Sequence, residues 1–199
     1  MFKELIYVKK NSLTEPFCNH LINKFELSTD AIEGKFDRGI VNKSFKDTTE
    51  LGLSNNIHWA NEDHTLFDAL QEGIAEYESY LQNFSPMCKP RPYQNFTMQD
   101  KGYKIQKYKP NGHYDWHNDW IIEESLGTRV YVFMWYLNTI DAKDGGSTDF
   151  FDGTSLQPEL GSLVFFPATW TYVHRGRMTK VNKYICNGWI YHVPQNNIT

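Results

Sequence analysis

The chain has 199 residues, of which 40% are hydrophobic, 22% charged and 16% aromatic, with a formal net charge of −4. That size and composition suit one ordinary globular unit, and scattered Lys and Arg residues with a mild negative balance leave no basic face for nucleic acid. No apolar run approaches the roughly 18 residues of a spanning helix; the opening Met1-Phe2-Lys3-Glu4-Leu5-Ile6-Tyr7-Val8 lacks a signal-peptide core, so no membrane partner and a cytoplasmic location are expected. Cys18, Cys88 and Cys186 are odd in number and far apart. They read as buried thiols in a reducing compartment rather than as a disulfide or zinc framework.

In chain order, residues 4–8 read as a strand. Thr14-Glu15-Pro16 reads as a helix start, with Thr as cap and Pro in the first turn, and Phe17, Leu21, Ile22 and Phe25 follow at helical spacing. Residues 28–56 are rich in Ser, Thr, Asp, Asn and Gly. They read as a long loop with short strands, the usual composition of a lid or binding element. A second helix is predicted over about 63–83, with Leu66, Leu70, Ile74, Tyr77 and Leu81 as its apolar stripe.

After Pro92 the pattern turns to strands. Residues 103–108 alternate with period two, Pro110-Asn111-Gly112 is a turn, and Tyr114 to Asp119 is extended again. Arg129 to Asn138 is nearly all apolar and reads as a strand buried on both faces. Asp144-Gly145-Gly146 is a turn, Ser162 to Phe166 is a buried run ended by Pro167, and Asn182 to His192 is the last strand. Two helices followed by about seven or eight short strands point to an α+β, mainly β, protein: an antiparallel sandwich or jelly roll with its helices packed on one sheet. No linker divides the chain, so a single domain over 1–199 is expected, with a helical support over about 1–90 and a jelly-roll core over about 91–193.

The chemistry is concentrated in His117-Asn118-Asp119. In an extended strand residues i and i+2 share a side, so an imidazole and a carboxylate can converge on one ion. His-x-Asp is a weak motif by itself. A third ligand must come from elsewhere, and His174, 55 residues after Asp119 (174 minus 119), follows the buried run and its Pro167 turn. Two His and one carboxylate on one face of an ion leave sites open for oxygen and a cosubstrate, as in non-haem Fe(II) oxygenases. Lys183, nine residues after His174 (183 minus 174), opens the last strand and suits a dicarboxylate; Tyr108, nine before His117 (117 minus 108), has a phenol that could bond the same group. His192 and Lys180 remain the alternatives as third ligand and cation. His20, His58, His64 and His113 are given no metal role.

Taken in order, these pieces resemble the prolyl 4-hydroxylase-like branch of the 2-oxoglutarate/Fe(II) dioxygenases. They run from Tyr108-Lys109-Pro110-Asn111-Gly112 through His117-Asn118-Asp119, the strand from Arg129, Gly145-Gly146-Ser147-Thr148 and Gly161-Ser162-Leu163-Val164-Phe165-Phe166-Pro167, to His174-Arg175-Gly176 with Lys183-Tyr184-Ile185. The resemblance spans about Tyr103 to Tyr191. It implies a double-stranded β-helix (jelly roll), and Fe(II) on His117, Asp119 and His174. It further implies 2-oxoglutarate on Lys183 with Tyr108 and Thr148, O2 as oxidant, and ascorbate as an accompanying reductant. Arg129 and Trp189 match the family's substrate side, and Trp116 and Tyr114 would add an aromatic wall.

The implied reaction is hydroxylation of an unactivated C–H bond, first of all on a prolyl residue of a peptide or protein. Two positions depart from the family pattern: the His174-to-Lys183 spacing is one shorter than usual, and Ser147 stands where Glu is common. The second bears on substrate identity. Competing readings are the same chemistry on a free amino acid, nucleobase or small metabolite, a non-catalytic metal-binding jelly roll, and a cupin-like zinc protein.

Overall fold

In the computed structural model the described residues are 3–37, 39–85, 96–123 and 127–194; Cys88 lies outside them. A 3-10 turn at Lys3–Leu5 precedes β1 (Tyr7–Lys9), so the first strand starts later than the expected 4–8. Helix α1 (Glu15–Leu27) follows, with Pro16 in its first turn. Thr14 takes the cap backbone conformation, but its hydroxyl makes no capping bond. The polar stretch that follows contains β2 (Ile32–Glu33) and β3 (Thr49–Gly52).

Helix α2 (Ala60–Gln82) begins three residues before the expected 63, extended by Glu62 and Asp63 in its first turn, where negative charge meets the helix dipole. Its buried stripe is Leu66, Leu70, Gly73, Tyr77 and Leu81, and Ile74 is only partly covered. Burying a side chain such as Leu66 or Leu70 stabilises by about 1.5–3 kcal/mol. Gly73 sits where helix and sheet come closest: a Cβ there would stand 2.5 Å from Leu163 Cδ2.

The remaining strands are β4 (Phe96–Asp100), β5 (Lys104–Tyr108), β6 (Tyr114–His117), β7 (Ile122–Glu123), β8 (Gly127–Tyr136), β9 (Thr148–Phe150), β10 (Ser155–Leu156), β11 (Leu163–Pro167), β12 (His174–Gly176) and β13 (Lys183–Pro194). Ten strands after α2 among the described residues exceed the expected seven or eight. The extra ones are mostly two- and three-residue pieces, too short to carry a period-two signature.

The strands form two antiparallel sheets. The larger runs β1-β11-β8-β13-β5-β3-β2, with β4 added on β13 and β7 on β8. The smaller runs β10-β9-β12-β6. β8 shows how the layers are made. Tyr131, Phe133 and Trp135 point to the helices, joining Leu21, Leu66 and Leu70 in one core. Val132, Met134 and Tyr136 point the other way, joining Phe150, Phe166 and Ile185 in a second core between the sheets. This double burial is why the sequence of β8 is almost wholly apolar. The architecture is a double-stranded β-helix with both helices on the outer face of the larger sheet.

Candidate active site

The mouth of the β-sandwich contains the three ligand-type residues. β12 pairs with β6 so that His174 lies directly across from His117, and the two imidazoles sit with ring centroids 4.3 Å apart. Asp119 does not lie in the strand as the spacing suggested. β6 ends at His117, and Asn118 Oδ1 accepts a bond from Trp120 N (3.1 Å), turning the chain. The Asp119 carboxylate nevertheless comes back to the pair, with Oδ2 3.6 Å from His174 Nε2. One ligand atom from each of His117, Asp119 and His174 lies within 4.8 Å of the others.

The donor set fits a divalent ion. His117 Nδ1 is 2.7 Å from Asp115 O, and His174 Nδ1 is 2.9 Å from Tyr172 O. A carbonyl only accepts, so each Nδ1 carries the proton and each Nε2 keeps its lone pair for a metal. Burial, with repulsion from His174, lowers the His117 pKa to about 3, which keeps that ring neutral. Burial opposes ionisation of Asp119, but His174, His117 and Arg129 outweigh it and hold the carboxyl below its ordinary range. Among the described residues the buried indole Nε1 of Trp189 has no partner at hydrogen-bond distance; its N–H dipole still favours the ionised Asp119. Among the described residues the protein supplies three donors, which leaves the rest of a coordination sphere to other molecules.

These residues line a cavity of about 740 Å³ between the sheets. Its inner end is marked by Lys183, 1% exposed, with its ammonium 5.0 Å from the Tyr108 ring centre and 5.6 Å from that of Tyr136. Among the described residues no carboxylate is within ion-pair distance of it, and burial lowers its pKa to about 7. Tyr108 lies across from Lys183 in the sheet; its hydroxyl donates to Gln106 Oε1 (3.2 Å) rather than to the lysine. Thr148 lines the same end, and its Oγ1 accepts from Tyr136 OH (2.8 Å).

Arg129 and Trp189 stand near Asp119. The guanidinium lies 3.8 Å from the indole centre, Nε donates to Tyr191 OH (2.9 Å), and one terminal nitrogen reaches Asp119 O at 3.5 Å. Tyr114 stacks on His117 at 3.6 Å and lines the cavity. Trp116 does not line it: its ring meets Phe151 and the Arg175 guanidinium instead. His192 is no part of the three-ligand cluster.

Among the lining residues that sequence reasoning missed are Lys46, Glu50, Lys104, Gln106 and Asn187. For Lys104 and Gln106 a signal was present, since they alternate with Tyr103 and Ile105 on a strand whose other face is core. Lys46 and Glu50 come from the aperiodic stretch and carried none.

Residues 103–191, a little under half of the chain, match the family model described as the 2OG-Fe(II) oxygenase superfamily. No curated protein matches the chain significantly. Among solved structures, the chain is similar to the viral collagen prolyl hydroxylase of Paramecium bursaria Chlorella virus-1 in its 2OG complex. The identity is 20%, with 94% of this chain and 95% of that chain covered, at a TM-score of 0.64. It is similar to the Trichoplax adhaerens prolyl hydroxylase solved with a hypoxia-inducible-factor peptide fragment (12% identity, 94% and 84% covered, TM-score 0.73). It is also similar to a Pseudomonas putida prolyl-4-hydroxylase (16% identity, 94% and 91% covered, TM-score 0.65). The site-bearing strands thus match the 2OG-Fe(II) oxygenase superfamily, on a double-stranded β-helix fold shared with these prolyl hydroxylase structures and carrying a His-Asp-His cluster at its mouth.

Proposed function

We propose that the protein hydroxylates a residue carried by a peptide or protein, with proline as the first candidate. In this reading residues 1–199 act as one catalytic unit. His117, Asp119 and His174 hold Fe(II), and Lys183 holds the distal carboxylate of 2-oxoglutarate with Tyr108 and Thr148 beside it. When bound, iron and 2-oxoglutarate would activate O2, the oxidant, with two electrons from 2-oxoglutarate as it becomes succinate and CO2 and two from the substrate C–H bond.

The observation that carries the reading is Lys183: a buried ammonium with no carboxylate within ion-pair distance among the described residues, in the same cavity as a three-donor cluster. A lone buried charge is costly unless a ligand meets it. A structural zinc site or a non-catalytic jelly roll has no use for such a group. The chain's own contribution is placement. Tyr108 is kept a neutral hydrogen-bonding phenol by burial, which raises its pKa well above the ordinary value. Val132, Met134, Phe166 and Ile185 line the same cavity with apolar surface that excludes water.

A peptide-borne substrate is supported by the size of the cavity and by the polar stretch over it. Phe36, Asp37 and Gly39 reach the cavity wall, and the stretch is tied down by Phe36 on Phe45 (4.6 Å) and Phe45 on Tyr114 (5.7 Å). Arg129 is placed to donate to a peptide carbonyl. One of the similar structures is named as a collagen prolyl hydroxylase, and another as a prolyl hydroxylase in complex with a peptide fragment. The test supplies Fe(II), 2-oxoglutarate, ascorbate and air to the protein with proline-rich peptides. Succinate formation together with a peptide that gains one oxygen supports the reading. Succinate with oxygen gained only by a free amino acid or nucleoside removes the peptide; no succinate with any of them removes the oxygenase assignment of these residues.

A further inference from the structure

The outer half of the cavity carries positive charge that the hydroxylase reading does not use. On β5 and β13 the residues facing the cavity form a row. Tyr108 lies across from Lys183, Gln106 from Ile185, and Lys104 from Asn187. Four residues along β13 separate Asn187 from Lys183, about 13 Å at the usual strand rise. Lys104 and Asn187 are therefore well removed from the ammonium that would take 2-oxoglutarate.

Beside Lys104 lie Lys46 and Glu50. Lys46 is 2% exposed and pairs with Glu50, and Lys104 reaches the other oxygen of the same carboxylate at 3.2 Å. The other partners of Lys46 are neutral: the Lys35 carbonyl at 2.9 Å and the Tyr114 ring face at 4.6 Å. Lys104 also approaches the Trp189 ring (5.3 Å), on whose indole Arg129 is stacked. Among the described residues, Lys46, Lys104 and Arg129 thus have Glu50 as their shared carboxylate, besides Asp119 of the ligand cluster and Asp37 at the rim. Lys35 and Asp37, one cation and one carboxylate, line the rim. In the inner half, a divalent ion, the two charges of 2-oxoglutarate, Asp119 and Lys183 cancel. The imbalance is confined to the outer half. Burial, and then repulsion from Lys104, lower the pKa of Lys46 to about 8 against the opposing pull of Glu50 and Asp119.

We propose that Lys46 and Lys104, with Arg129 behind them, form a carboxylate-binding subsite, so that the substrate presents an acidic group beside the carbon to be hydroxylated. The inference rests on the peptide reading above and sharpens it: the peptide carries Asp or Glu at or next to the reacting residue. Glu50 holds the two ammoniums together and sets their spacing. Asn187, whose Oδ1 accepts from Gln106 Nε2 (2.9 Å), can turn its amide N–H groups to the carboxylate. A neutral prolyl peptide would fill the space and leave the charge unmet.

The probes are acetylated, amidated tetrapeptides that differ only in Asp, Asn or Lys next to a proline, together with free L-aspartate. Binding is measured calorimetrically without oxygen, on protein loaded with Mn(II) and 2-oxoglutarate. The expected order is Asp tighter than Asn by about tenfold, the usual scale for a hydrogen bond gaining full charge, with Lys weakest. Lys104→Glu should reverse the Asp–Lys order, and Lys104→Gln should bring Asp and Asn within about twofold; circular dichroism checks that both variants fold. Equal affinity for Asp and Asn, or no binding of either, overturns the proposal. Free L-aspartate binding as tightly as the Asp peptide keeps the subsite and makes a free amino acid the source of the carboxylate. Succinate formation in air is scored separately. Its absence with the Asp preference intact removes the hydroxylase reading and leaves the subsite standing.

Discussion

At the scale of single residues, protonation states decide what the site can bind. His117 is held neutral by burial, and both histidines have Nδ1 tied to a carbonyl. His117→Ala, Asp119→Ala and His174→Ala should each abolish 2-oxoglutarate turnover and weaken binding of Mn(II), followed by titration. Lys183→Ala should separate the two ligands: 2-oxoglutarate binding weakens by about 2–5 kcal/mol, while Mn(II) affinity stays close to wild type. Lys180, which donates to Lys143 O on the surface, is the control. Lys183 also predicts a proton linkage. In the empty cavity its pKa is lowered to about 7 by burial, so at pH 8 the amine is mostly neutral. A bound dicarboxylate favours the charged form and raises that pKa. Binding at pH 8 should therefore take up close to one proton, and affinity should fall about tenfold per pH unit above 7. Calorimetry in buffers of different ionisation enthalpy measures the uptake; zero uptake would show that Lys183 is not the anchor.

At the scale of elements, two contacts control the frame and the mouth. Gly73 lets α2 approach β11 so closely that a side chain would strike Leu163 and Phe165. Gly73→Leu should cost about 1–3 kcal/mol of stability through overpacking, read from urea unfolding with the His117, Asp119 and His174 cluster untouched. The polar stretch leans on the site through the Phe36–Phe45–Tyr114 series, and Tyr114 in turn stacks on His117. Phe45→Ala should loosen that wall. The apparent KM for a peptide substrate should rise severalfold while succinate is still released, so that product per succinate falls. Arg129→Ala should act in the same direction by removing a donor near the iron site. The sequence marked this stretch by composition alone, because its two short strands hold too few residues for a period to show.

At the scale of the whole molecule, the site joins the two sheets. His117 and His174 come from the smaller sheet, while Lys183, Arg129 and Trp189 come from the larger one. A metal and a dicarboxylate bound together therefore bridge both halves of the sandwich. With each ligand at about 100 times its dissociation constant, native binding adds about 2.7 kcal/mol per ligand. For a chain of this size that corresponds to a rise in Tm of roughly 5–10 °C for one ligand. Mn(II) and 2-oxoglutarate added together should raise Tm more than either alone. A rise with Mn(II) that 2-oxoglutarate does not increase would argue against one shared cavity.

Local pattern in the sequence determined the helices, the turns and the long strands of this protein. The 3.6-residue stripe of α2, Pro16 in the first turn of α1, the Asn111 turn with its φ of 73° and the apolar run of β8 all express constraints within a few residues. The chemical types His117, Asp119, His174 and Lys183 were legible as well, through a spacing that resembles a known family. Tertiary structure decided the rest, because it depends on contacts between distant residues. Pairing of β12 with β6 sets His174 against His117, although 57 positions separate them (174 minus 117). A turn beyond the strand end, not strand periodicity, returns Asp119 to the pair. The same long-range folding turns Trp116 away from the cavity and brings Lys46 and Glu50 from an aperiodic stretch to meet Lys104 on β5. No local signal records such a meeting, since charged residues in a loop look alike until packing removes the water between them.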